Sequence, residues 1–90
     1  STYISMSQNK EDLKNKIIYR ASYRGTKEMD ILMTDFVRSV IDKLSLEQLK
    51  SLDEFVNMDD EIIISIKKKE SNLKYDNQNF LDIIKTFQNF

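Results

Sequence analysis

Ninety residues containing one glycine and no proline constrain the backbone more tightly than any motif does. Tight β-turns need positive φ, which glycine adopts at least cost, and a β-rich domain of this length needs several of them. Helices joined by short polar connections need few. The chain is therefore read as all-α, a compact bundle of about five short helices forming a single domain over residues 9–90. Residues 1–8 are expected to stand outside it, disordered or foreign to the native chain. The length suffices for one domain and one modest core, burying roughly 60–65% of the surface that the unfolded chain exposes. A deep, water-excluded catalytic cavity is hard to build on that scale.

The missing residue types narrow the chemistry. The chain has no cysteine, so disulfides, thiolate nucleophiles and zinc–thiolate sites are excluded. It has no histidine, which removes the commonest general base and the commonest transition-metal ligand. A formal net charge of −1 offers no general electrostatic attraction to nucleic acid or to an anionic membrane. No apolar run approaches the ~20 residues that span a bilayer, and no secretory signal is seen, so membrane insertion is not expected.

Periodicity places the helices. The first is expected from about Gln8 to Tyr23, capped by Asn9, with Glu11 and Asp12 in its first turn and Leu13, Ile17 and Ala21 as its inner stripe. Gly25 ends it, as the residue most free to take positive φ. The second is expected over Thr26–Lys43, with Met29, Met33, Phe36, Val40 and Leu44 on a broad apolar face flanked by Leu32, Val37 and Ile41. Glu28, Asp35 and Asp42 recur every seven residues on another face. Ser45 and Gln48 form a capping box for the third helix, with Leu44 and Leu49 spaced as a hydrophobic staple and Asn57 at its end.

Residues Asp59–Lys69 are ambiguous, because Ile62–Ile63–Ile64 suits a strand on propensity. Acids at 59–61 followed by Lys67–Lys69 suit a helix dipole, and a lone strand would lack a partner, so a helix is chosen. The fifth helix is expected from Asp76 to Phe90, with Phe80, Ile84 and Phe87 on one face beside Leu81 and Ile83.

Chemistry-bearing residues gather at the junction of the first two helices. Arg20 and Arg24 stand one turn apart, as do Tyr19 and Tyr23, and Glu28 falls in the next first turn. Gly25 between them lets another backbone approach closely. On pattern alone the plainer reading is preferred: Gly25 terminates a helix, Glu28 improves the next one, and the arginines are solvated. The run Arg24–Gly25–Thr26–Lys27–Glu28–Met29–Asp30, however, resembles the RGxxExD signature of the succinate dehydrogenase flavinylation factor family. The likeness continues through Ile31, Leu32 and Phe36 to Leu44–Ser45, Leu49, Phe55 and Asp59–Asp60, covering roughly residues 12–66. Two departures stand out: many members carry Arg near the position of Ile17 and Trp near that of Ser65.

The resemblance implies a five-helix assembly factor that binds the flavoprotein subunit of succinate dehydrogenase and promotes covalent attachment of FAD to a histidine of that subunit. It implies no enzyme activity, no catalytic or metal-binding residue, and no cofactor held stably by this chain. Arg24, Gly25 and Glu28 would contact the partner, with Asp30, Arg20 and Tyr23 beside them. A monomer in the bacterial cytoplasm or the mitochondrial matrix is expected. The alternative is a helical adaptor or regulator for an unrelated protein partner. The remaining signals have plain readings: Lys67–Lys69 as a solvated helix C-terminus, Asp59–Asp60–Glu61 as helix N-terminal acids, and Met29 and Met33 as core.

Overall fold

The computed structural model describes residues 6–70, 74 and 76–90. Five α-helices follow one another: α1 (Met6–Ser22), α2 (Lys27–Val40), α3 (Leu46–Val56), α4 (Asp60–Lys67) and α5 (Gln78–Gln88). A 3-10 turn, Ile41–Lys43, extends α2 toward α3. No strand occurs among the described residues.

The helix ends show where local chemistry decides. Thr26 caps α2, its hydroxyl accepting from the Met29 amide at 3.3 Å. The capping box of α3 is complete: the Gln48 amide donates to the Ser45 hydroxyl at 3.3 Å, and the Ser45 amide donates to Gln48 Oε1 at 2.8 Å. Asn57 closes α3 as expected. Asn77 caps α5 by accepting from the amides of Asn79 and Phe80, so α5 begins at Gln78 rather than Asp76. At the start of α1 the expectation needs correcting. The helix already runs from Met6, which puts Asn9 inside it rather than at its cap and leaves no acid in its first turn. Methionine and glutamine are good helix formers, and nothing in Met6–Gln8 interrupts the hydrogen-bond ladder. Residues 6–8 thus belong to α1, and residues 1–5 lie outside the described residues.

The ambiguous segment is helical. Ile63 and Ile66 of α4 are buried and Ile62 packs against the core, a 3–4 spacing that a strand would split between two faces. Tertiary burial here overrides β-propensity. The segment ends at Lys69, which takes φ 60°, so a second residue besides Gly25 adopts positive φ.

The helices pack α1 against α2 and α3, and α5 against α3 and α4. Ile17 and Ala21 of α1 are fully buried. Phe36 sits at the centre of the bundle with no exposed surface. Its ring meets Phe87 at 5.0 Å, Phe90 at 5.5 Å and Phe55 at 5.9 Å, all edge-on. Phe55 meets Phe87 at 5.0 Å and Phe80 at 6.4 Å. Edge-to-face rings place positive edges on negative faces, so the cluster gains beyond the area it buries. Phe80 and Phe87 thereby complete the core that α2 and α3 begin, with Phe90 half exposed at its edge.

Lys67 is not the solvated end that its position suggests. Its ammonium donates to the carbonyls of Phe87 at 2.8 Å and Phe90 at 3.2 Å, and lies over both rings. A cation is favoured at the C-terminal end of α5, where the helix dipole is negative. Gln88 returns the contact by donating to the Ile66 carbonyl at 3.0 Å, which ties the ends of α4 and α5 together.

Candidate functional site: the junction of α1 and α2

The chain leaves α1 at Ser22, whose hydroxyl donates back to the Ile18 carbonyl at 2.8 Å and lies 3.3 Å from that of Thr34. Three residues later Gly25 turns it at φ 128°, a conformation that L side chains rarely adopt. Asp30, in the first turn of α2, accepts a hydrogen bond from the Arg24 amide and closes the turn. The junction is therefore a specific structure rather than a slack connection.

Arg24 reaches away from the solvent. Its Nε donates to Asp60 Oδ1 at 3.0 Å, Nη2 forms an ion pair with the same oxygen at 2.8 Å, and Nη1 and Nη2 donate to the carbonyls of Val56 and Met58. The side chain is only 10% exposed. Arg24, expected among the partner-contacting residues, thus engages its guanidinium donors within the molecule. The physical reason lies at the end of α3, whose last carbonyls need donors, and at the start of α4, where a carboxylate is favoured by the exposed amides. One guanidinium satisfies both, and its planar array of donors suits that combination better than an ammonium would.

The other residues of the group divide by location. Gly25, Glu28 and Tyr23 are exposed. Tyr23 packs against Tyr19 with centroids 4.8 Å apart and ring planes tilted by 44°, and the two are 71% and 67% exposed, an unusual display for large aromatic side chains. Arg20 lies at the surface and donates to Asn57 Oδ1 at the end of α3, while Asp30 is half-buried in its bond to Arg24. Beside them lies an open depression of about 550 Å³ lined by Arg24, Asn57, Met58, Asp59, Asp60 and Glu61. The residues that sequence reading left out of the group are Asn57 and Asp60. Asp60 stands 36 positions from Arg24, so no local spacing couples them, although a buried arginine always requires a carboxylate or several carbonyls.

Away from the junction, Lys14 donates to Asp42 at 3.2 Å and approaches Glu11 at 3.6 Å. The hydrogen bond to Asp42 is the main cause that raises its pKa above the ordinary 10.5. A smaller cavity of about 120 Å³ sits at the far end of α2 and α3, walled by Phe36, Val40, Leu44 and Ile83 with a polar rim.

Fold and site together define a small helical-bundle protein whose sequence motif builds a rigid corner at the surface, with aromatic rings, a carboxylate and a bare backbone facing outward. The chain belongs to the family described as flavinator of succinate dehydrogenase, whose model matches residues 15–88. That family comprises assembly factors for succinate dehydrogenase flavinylation rather than catalytic enzymes. No curated protein and no solved structure matches the chain. No helix among the described residues is long and apolar enough to cross a membrane.

Proposed function

We propose that the chain binds the flavoprotein subunit of succinate dehydrogenase and promotes its covalent flavinylation without performing catalysis itself. The observation that carries this reading is the α1–α2 corner, where Gly25 and Glu28 are exposed while the Arg24 clamp beneath them holds the corner rigid. A preformed surface loses little entropy on docking. Tyr19 and Tyr23 add the amphipathic area that interface anchors characteristically supply. The sequence supports the division of labour, since a chain with no histidine and no cysteine carries no imidazole or thiol to accept flavin.

The factor works by binding energy. It holds the flavoprotein subunit in the conformation where the acceptor imidazole faces the flavin, and ordering reactants in this way lowers a barrier by several kcal/mol. It accelerates attachment only as far as it binds that conformation better than others. The FAD stays with the partner. The factor acts as a monomer in the compartment where the flavoprotein subunit matures, the bacterial cytoplasm or the mitochondrial matrix.

The test is in-gel flavin fluorescence of the flavoprotein subunit, with wild-type factor, with Glu28→Ala and without factor. Glu28 is exposed, so its removal should change stability by less than about 0.5 kcal/mol. The expected result is a variant that melts like wild type and leaves the subunit unflavinylated. A folded Glu28→Ala protein that supports full flavinylation would remove the corner from the mechanism. Recovery of an unrelated partner in place of the flavoprotein would favour the adaptor reading.

A further inference from the structure

We propose that Asp60 is a positioning residue for the partner-contacting corner: acting through Arg24, it sets where Gly25 and Glu28 stand relative to the link between α3 and α4. The proposal rests on the function assigned above and adds to it a residue from a different part of the chain.

Three observations converge on Asp60. First, of the groups that receive the Arg24 guanidinium, Asp60 is the charged one: its Oδ1 accepts from Nε at 3.0 Å and pairs with Nη2 at 2.8 Å. The carbonyls of Val56 and Met58 each take one donor. A carboxylate in contact with both Nε and Nη2 holds the fork more firmly than a neutral carbonyl, because charge-assisted contacts are the stronger ones. Second, Arg24 is held at its other end, since its amide donates to Asp30 in the first turn of α2. Glu28 stands in that same turn. A displacement at Asp60 is therefore passed along Arg24 to the backbone that carries Glu28. Third, the second carboxylate oxygen of Asp60 lies 3.9 Å from where a Cβ on Gly25 would stand, so the carboxylate directly underlies the Gly25 turn. The arginine is 10% exposed and the carboxylate 29%, which shields the pair from much of the screening that weakens surface ion pairs.

A simpler role competes: Asp60 opens α4, where an acid is favoured by the helix dipole in any case. That role predicts a small change in stability and none in partner binding. Asp60→Ala and Asp60→Asn separate the two. Both are measured below their melting transitions, with three readouts: the Kd for the flavoprotein subunit, the flavinylation rate at saturating factor, and amide hydrogen exchange at Gly25–Glu28. For Asp60→Ala the expectation is a Kd raised about tenfold, a saturating rate within about twofold of wild type, and faster exchange at Gly25–Glu28 with α5 unchanged. Asparagine keeps an acceptor for Arg24 and should fall between alanine and wild type. Should the alanine variant fail to fold, the asparagine variant carries the test, with a raised Kd expected in the same direction. A folded variant with wild-type Kd overturns the proposal and leaves the functional reading standing. So does faster exchange confined to α4. Failure of the wild-type protein to bind the flavoprotein subunit overturns the functional reading, and this proposal with it.

Discussion

Arg24 illustrates how a motif residue changes meaning between the line of sequence and the fold. An arginine beside a glycine at a helix junction reads as a surface group. In the structure its guanidinium answers the carbonyls at the end of α3 and the carboxylate that opens α4. Removing it leaves a half-buried carboxylate and two carbonyls without their donors, so Arg24→Ala should destabilise the domain by about 2–3 kcal/mol. Arg24→Lys should recover only part of this, because an ammonium cannot reproduce the fork. Urea denaturation checks both, and a loss below about 0.5 kcal/mol for the alanine variant would return Arg24 to the surface. Lys14 gives a second test, of opposite character. Its pKa is raised in the folded state, chiefly by the hydrogen bond to Asp42, so the pair's contribution is fully present below the unfolded value of about 10.5 and is lost as pH rises through the folded value. The difference in Tm between wild type and Lys14→Met should hold steady from pH 7 to about 10 and shrink above that. A difference that grows with pH would contradict the assignment.

At the scale of the element, capping was the most legible feature. The Ser45–Gln48 box is a purely local pattern, readable because both of its hydrogen bonds close within four residues. Ser45→Ala should cost about 1 kcal/mol, visible as a lowered Tm with an unchanged circular dichroism spectrum at low temperature. The start of α1 lies upstream of the expected Asn9 cap, because Met6–Gln8 suit a helix and nothing local stops it there. The α4 segment had the opposite problem. Its isoleucines favour strands, and only their burial at positions 63 and 66 shows why the helix wins. Lys67 belongs to this scale too. As the first lysine of a charged run it reads as solvated, yet the neighbouring end of α5 supplies carbonyls and rings for it.

Across the whole molecule, stability concentrates in the phenylalanine cluster that joins α2, α3 and α5. Phe36→Ala removes a fully buried ring in contact with three others and should cost about 3–5 kcal/mol. In a domain of ordinary marginal stability this is enough to populate the unfolded state at 37 °C. Chemical denaturation checks it, and a loss under about 1 kcal/mol would place the ring outside the core. The cluster lies at a distance along α2 from the Gly25 corner, so core and contact surface can be altered separately. Sites so separated add in their effects on stability, which lets a folding defect be told from a docking defect.

What the sequence determined by itself was whatever repeats within a few residues. Scarce glycine and absent proline led to helices, the 3–4 spacing around Phe36 led to the buried face of α2, and Ser45 with Gln48 led to the start of α3. The junction motif was visible too, because its residues are adjacent in the chain. Only the tertiary structure decided which of them face outward. Arg24 turns inward because α3 ends and α4 begins beside it, and Arg20 is held at the surface by Asn57 for the same reason. Those partners lie more than thirty residues away, and a pairing across that distance leaves no periodic trace in a single sequence. The fold alone brings an unpaired carbonyl, a carboxylate and a guanidinium into reach, and the need to satisfy all three then sets the direction of the side chain.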